Sequence, residues 1–166
     1  MRARPAGPDD AEPIARIYNE GIEDRLATFE TEPRSAADVA AWLDGETPVV
    51  VVEDDAGAVV AWASAPEYRS RRAYSGVREF SIYVARSARG RGLGRMTLQA
   101  LIDECEARGF WKLVSRVFPE NEASLALCRS LGFREVGVYR RHAKLDGEWR
   151  DVVIVERLLG DAASDD

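Results

Sequence analysis

Between residues 89 and 94 the chain reads Arg-Gly-Arg-Gly-Leu-Gly, with Arg86 ahead of it and Arg95 behind it. Glycines let a backbone approach a ligand closely, and a helix starting at Gly92 would offer free N–H groups and the positive end of its dipole. The four arginines concentrate positive charge in a chain of formal net charge -6. An anionic phosphate group, above all a diphosphate, suits such a loop; solvated arginines on an ordinary glycine turn are the alternative. The spacing is not that of a P-loop. Nor does the segment follow the first strand of a repeated βαβ unit, which counts against a dinucleotide site.

Three other groups of residues have chemical potential. Glu79 is a carboxylate within an otherwise apolar strand-like run, either a general base or a solvated edge residue. Arg69 and Arg71 precede it in a polar, irregular stretch, and guanidinium groups grip carboxylate-like oxygens in bidentate fashion. Phe29, Trp62, Tyr74 and Phe80 are candidate pocket walls, although aromatic residues at strand spacing are more often core. Cys105, Cys128 and the single His142 form neither a metal-ligand pattern nor a disulfide framework, so no metal is expected.

The elements that must position these residues follow from periodicity. Asp9 or Asp10 caps a helix carrying Ile14, Ile17, Tyr18 and Ile22, and Ser35 with Asp38 opens a second that buries Val39, Trp42 and Leu43. Pro48–Glu53 and Ala58–Ala65 flank Asp-Asp-Ala-Gly as a hairpin. Val77–Val84 forms a strand and a helix runs from Gly92 to Gly109. Lys112–Phe118 is the next strand, Asn121 caps a helix ending at Gly132, and Phe133–Tyr139 and Val152–Leu159 supply the last two strands. This order describes an α/β (α+β) fold, one domain over residues 1–160, with a frayed tail at 161–166.

Arg89–Gly94 resembles the GNAT motif of Arg or Gln, two residues, Gly, one residue, then Gly or Ala, whose backbone holds the pyrophosphate of coenzyme A. The resemblance extends over nearly the whole chain and is strongest to the phosphinothricin, methionine sulfoximine and arsinothricin N-acetyltransferase branch. It rests on Ile17–Ile22, Ala27–Pro33, Arg71–Tyr74, Glu79–Val84, Asn121–Phe133 and Gly147–Val152. It implies a GNAT fold with a mixed, mostly antiparallel seven-stranded sheet and about four helices.

The resemblance also implies a division of labour. Ile82, Tyr83 and Val84 would face the pantetheine arm of acetyl-CoA, with the Val84 N–H as oxyanion donor. Arg89, Gly90, Arg91, Gly92, Leu93, Gly94 and Arg95 would hold its pyrophosphate, and Asn121 and Ser124 would add contacts. Glu79 matches the family's general base, acting directly or through water. Phe29, Arg69, Arg71, Tyr74, Phe80 and Ser81 fall at the substrate end beside it. Cys128 departs from the pattern, since relatives carry Tyr or His there as the acid for the leaving thiolate.

Composition narrows the setting. A globally acidic surface argues against nucleic acid and anionic membrane as partners, and no apolar run has the length of a membrane span or a signal peptide. A cytoplasmic enzyme is expected. Dimeric relatives imply a homodimer, as do Trp111 and Trp149, aromatics that one small core would not fully bury. The expected substrate is a small amino-acid-like amine. Peptide N-termini or polyamines are alternative substrates, and a silent acyl-CoA-binding module would have no need of Glu79.

Overall fold

The helical spacing of Ile14, Ile17, Tyr18 and Ile22 is realised in α1 (Ala11–Asp24), which buries all four. The computed structural model describes residues 1–164. Ahead of α1 come β1 (Arg2–Pro5) and a short 3-10 turn (Pro8–Asp10). Asp10 sits at the helix entrance without the expected capping bond. Its carboxylate instead accepts from Arg4 at 2.8 and 2.9 Å and from the Gly7 N–H at 2.7 Å, because Arg4 on β1 offers it a stronger, charged partner.

Ser35 and Asp38 form the expected capping box, although α2 is short (Ala36–Ala40). The hairpin then appears as β2 (Val49–Glu53) and β3 (Val59–Ser64), with the Asp54 carboxylate accepting from Ala56 and Ala58 within the turn. Four consecutive valines in β2 are buried because the strand is covered on both faces. Val49 and Val51 meet the α1 side, and Val50 meets the opposite core.

The single strand expected over 77–84 is two. β4 (Val77–Glu79) runs parallel to β6 (Lys112–Val117), and β5 (Ser81–Val84) leaves it at Phe80 to pair antiparallel with β3. The break has a physical cause. Phe80 is committed to the core on the β6 side, its ring 5.2 Å from that of Phe133 and its N–H on the Val114 carbonyl. Beyond it the chain follows β3 instead. Among the described residues the expected seven strands thus become eight, in two four-stranded sheets ordered β1-β2-β3-β5 and β4-β6-β8-β7, of which β4·β6 is the parallel pair.

Helix α3 (Leu93–Ala107) and α4 (Glu122–Ser130) pack Leu98, Leu101, Ile102, Leu125 and Cys128 into the second core. Strands β7 (Arg134–Leu145) and β8 (Glu148–Leu158) run longer than periodicity indicates. An Asp146-Gly147 turn joins them, with φ of 50° and 83° in the left-handed region that tight hairpins use. Gly160–Ala163 forms a 3-10 turn where fraying was expected, and positions 165 and 166 of that tail lie outside the described residues. Among the described residues no helix is long and apolar enough to cross a membrane.

Candidate active site

The parting of β4 and β5 builds the site. Backbone N–H groups on a strand alternate sides, and the Phe80 N–H faces β6 while that of Ala85 reaches Val60 on β3. By the same alternation the N–H and C=O groups of Ile82 and Val84 face the side that β6 has vacated. The Val84 carbonyl there accepts from Arg89 Nε at 3.3 Å. A groove of about 460 Å³ opens along this edge, within the usual range of small-molecule sites. It is walled by β5, the start of α3 and the first turn of α4, with Gly21, Asp24, Leu26 and Ala27 on the α1 side.

At the start of α3 the loop supplies what an anion needs. Gly90 and Gly92 adopt φ of 81° and 77°, and a Cβ at either would meet no protein atom within 4 Å. Their lack of side chains therefore leaves the backbone open to the groove. Gly94 is closely packed, since a Cβ there would stand 3.2 Å from Leu127 Cδ2. No side chain caps α3, leaving its first N–H groups for a ligand. Arg89, Gly90, Gly92, Leu93, Gly94 and Arg95 line the groove, whereas Arg91 does not.

The arginines are held in place. Arg89 pairs with Asp24 at 2.7 Å, and Arg86 pairs with the same carboxylate at 2.9 Å and with Glu23 at 3.2 Å. Burial pushes the Asp24 carboxyl upward, but hydrogen bonds and charge from Arg86 and Arg89 outweigh it and hold it below its ordinary value. Arg95 donates to Ser130 Oγ at 2.8 Å. These contacts hold three arginines near the α3 entrance, of which Arg89 and Arg95 line the groove.

Toward β6 the groove continues into a smaller cavity of about 50 Å³. The two share Ala27, Ile82, Tyr83, Asn121, Ser124 and Leu127, and the inner end adds Phe80, Ser81, Ser115, Arg116 and Cys128. Asn121 accepts from the Ser124 N–H at 3.2 Å, so the expected helix cap and the expected lining role coincide. Burial pushes the Cys128 thiol up to about 11. A thiol that weakly acidic is a poor proton donor to a thiolate of ordinary pKa near ~8.5.

Glu79 stands just outside this lining. Its Oε1 accepts from Arg116 Nε at 3.0 Å and Nη2 at 2.6 Å, and Arg116 Nη1 approaches His142 Nε2 at 3.5 Å. The carboxylate therefore meets the cavity through Arg116. Sequence reasoning missed Arg116, whose available signal was a cation in the middle of the strand 112–118. It also missed Asp24 and Ser115, which carry no motif.

The other expected substrate residues are placed elsewhere. Phe29 packs edge-on against Phe118 at 4.9 Å, and Arg69 lies over the ring of its neighbour Tyr68, which in turn meets Tyr74. Arg71 opens a 3-10 turn on the same exposed loop. None of the four lines the groove or its inner end. The loop nevertheless borders β4, through Glu67 paired with Arg78 and the Glu79 N–H on the Pro66 carbonyl. Trp62, considered as a wall, is core: 1% exposed and stacked on Tyr83 at 5.1 Å. Among the described residues no group of three or more His, Cys, Asp or Glu is arranged to hold a metal ion.

A strand that parts from its neighbour, with a glycine-rich helix entrance at the end of the opening, forms a groove for an extended ligand that ends in an anionic group. The family model described as Acetyltransferase (GNAT) family matches residues 14–133, and the chain belongs to that family. The L-methionine sulfoximine/L-methionine sulfone acetyltransferase of Pseudomonas aeruginosa is 34% identical over 160 residues, covering 94% of this chain and 93% of that one. A phosphinothricin acetyltransferase from Sinorhizobium meliloti, solved with AcCoA, superposes with a TM-score of 0.90 at 34% identity, covering 96% of this chain and 89% of its own. The ribosomal-protein-alanine N-acetyltransferase of Brucella melitensis superposes at 0.91 and 32% identity, covering 96% and 100%. This protein is accordingly an acyltransferase that uses acetyl-CoA. The groove fits that cofactor: a backbone-lined edge for an amide-containing arm and a cationic glycine loop for a diphosphate.

Proposed function

We propose that the protein transfers the acetyl group of acetyl-CoA to the amino group of a small amino-acid-like molecule such as phosphinothricin, methionine sulfoximine or arsinothricin, and so confers resistance to it. The observation that carries this reading is the Glu79–Arg116 pair, a base and a cation side by side, of which Arg116 lines the inner end of the groove. The names of the Pseudomonas and Sinorhizobium relatives favour the same substrate class.

Bound acetyl-CoA would supply an activated thioester, and the residues of this chain do the rest. Gly90, Gly92 and the α3 entrance hold the diphosphate, with Arg89 and Arg95 adding charge. Ile82 and Val84 align the arm through the open edge of β5, and the Val84 N–H stabilises negative charge developing on the thioester oxygen. Glu79 takes the ammonium proton, directly or through one water, so that the free amine can attack. Arg69, Arg71 and Tyr74, on the loop that borders β4, would meet the far end of a substrate, with Phe29 behind them and Phe80 and Ser81 lining the inner end. Cys128 fills space, and the thiolate leaves unassisted or with water as its acid.

Two further features belong to this reading. Val136, Val138, Tyr139 and Trp149 are exposed large apolar residues on the last hairpin, whose β7 is an edge strand. They form the contact of a homodimer, and light scattering giving a monomer mass at micromolar concentration would remove that assignment. Two buried free thiols, Cys105 and Cys128, suit a reducing cytoplasm.

A panel of amines with acetyl-CoA tests the substrate class. Phosphinothricin, arsinothricin and methionine sulfoximine should turn over well above spermidine and an alanine-initiated peptide. A preference for the peptide would instead favour the activity named for the Brucella relative.

A further inference from the structure

An α-amino acid carries its ammonium and carboxylate on one carbon, so a site that reads both must place a carboxylate and a cation next to each other. Glu79 and Arg116 are so placed, 2.6 Å apart at their closest. They reach this arrangement from neighbouring strands: parallel pairing of β4 with β6 sets Glu79 beside Val114, two residues from Arg116 on the same strand. Side chains two apart on a strand share a face.

The cation is also available. Arg116 is 48% exposed against 25% for Glu79, and it lines the inner cavity with Ser81, Ser115 and Cys128. Two of its N–H groups, on Nε and Nη2, converge on one oxygen of Glu79. A guanidinium has five donors in a planar fork. Among the described residues its Nη1 edge meets the ring of His142 at 3.5 Å, a weak contact that leaves room for an anion.

We propose that Arg116 is the specificity-determining residue of this site, binding the α-carboxylate of the substrate while Glu79 receives the adjacent ammonium. The inference rests on the amino-acid reading above and deepens it. In the free protein the two side chains neutralise each other. Substrate binding exchanges that one ion pair for two, Arg116 with carboxylate and Glu79 with ammonium. The exchange selects for the zwitterionic end group: a simple amine or polyamine offers no anion to Arg116, and a peptide N-terminus has an amide in its place. Loss of a hydrogen-bonded charged partner corresponds to roughly 10- to 100-fold in binding.

The test compares L-methionine sulfoximine with its α-carboxamide as acetyl acceptors, following thiol release by wild type, Arg116→Gln and Arg116→Lys. Wild type should favour the acid over the amide in kcat/KM by roughly 10- to 100-fold. In Arg116→Gln this preference should collapse through a raised KM for the acid, the amide losing far less, while calorimetry shows acetyl-CoA affinity unchanged. Arg116→Lys should restore part of the preference, because it keeps the charge without the fork. An unchanged acid-to-amide ratio in Arg116→Gln would overturn the proposal. So would an equal loss in kcat on both compounds, which would make Arg116 only a support for Glu79. If wild type acetylates neither compound, the amino-acid reading itself fails first.

Discussion

The ring of Tyr83 on β5 lies directly against Gly21 of α1, so that a Cβ at Gly21 would stand 2.5 Å from both Cδ1 and Cε1. Tyr83 also stacks on Trp62 and tilts against Tyr18, each at 5.1 Å between centroids, and it lines both parts of the groove. The glycine therefore sets how closely α1 approaches the cofactor edge. Gly21→Ala should force Tyr83 and β5 outward, lowering stability by about 1 to 3 kcal/mol. Acetyl-CoA affinity should fall as well. Denaturant melts together with calorimetry would read both effects, and a stable variant with full affinity would show that the contact yields without cost.

Gly92 tests the diphosphate cradle. Its φ of 77° disfavours any β-branched residue, and the space around its missing Cβ is groove rather than protein. Gly92→Val should leave a folded protein that no longer binds acetyl-CoA measurably by calorimetry. Undiminished affinity in a folded variant would remove the loop from the cofactor site.

The glycine loop and the starts of α2 and α4 were legible in the sequence because local rules suffice for them: glycine at positive φ, Asn121 as a cap, Ser35 with Asp38 as a box. The inner end was not, because it depends on pairing between strands distant in the chain. Glu79 could be singled out as the one carboxylate in the run 77–84, but its partner Arg116 is 37 residues away and meets it only once β4 lies beside β6. The division of 77–84 at Phe80 was hidden for the same reason. Both halves have strand character, and only the competition between β3 and β6 for their edges separates them. Arg69 and Tyr74 lie on a loop, where side chains satisfy one another locally and periodicity carries no information.

Asp10 provides a pH-dependent element of stability. Its hydrogen bonds from Arg4 are the largest influence on its carboxyl, and with help from the Gly7 N–H they outweigh burial and hold it below its ordinary value. A depressed carboxyl stabilises the fold above the ordinary carboxylate range, and that contribution is lost as pH falls through the folded value. Asp10→Asn should cost about 1.5 to 3 kcal/mol at neutral pH. The gap between wild type and variant should close in acid, and melts at neutral and strongly acidic pH would show it. A gap independent of pH would point to packing rather than charge.

Cys128 should prove chemically quiet. With its thiol pushed up to about 11 by burial, it remains protonated at neutral pH and reacts as a filler of the inner cavity. Native protein should resist iodoacetamide at pH 8, and Cys128→Ala should keep kcat within about tenfold of wild type. A loss of several hundredfold in that variant would restore Cys128 as the acid that serves the leaving thiolate.

The central claim is that an amine is acetylated at the inner end of this groove with Glu79 as its base, and the most direct test is kcat for phosphinothricin in wild type and Glu79→Gln, with product identified by NMR. Wild type should form N-acetylphosphinothricin and release one thiol for each acetyl group transferred. Glu79→Gln should lower kcat by about 10² to 10⁴, a larger effect than the rise in KM from the lost ammonium contact, and its rate should climb further at high pH, where more free amine exists in solution. Thiol release without an N-acetyl product, or a Glu79→Gln enzyme with wild-type kcat and only a raised KM, would contradict the account.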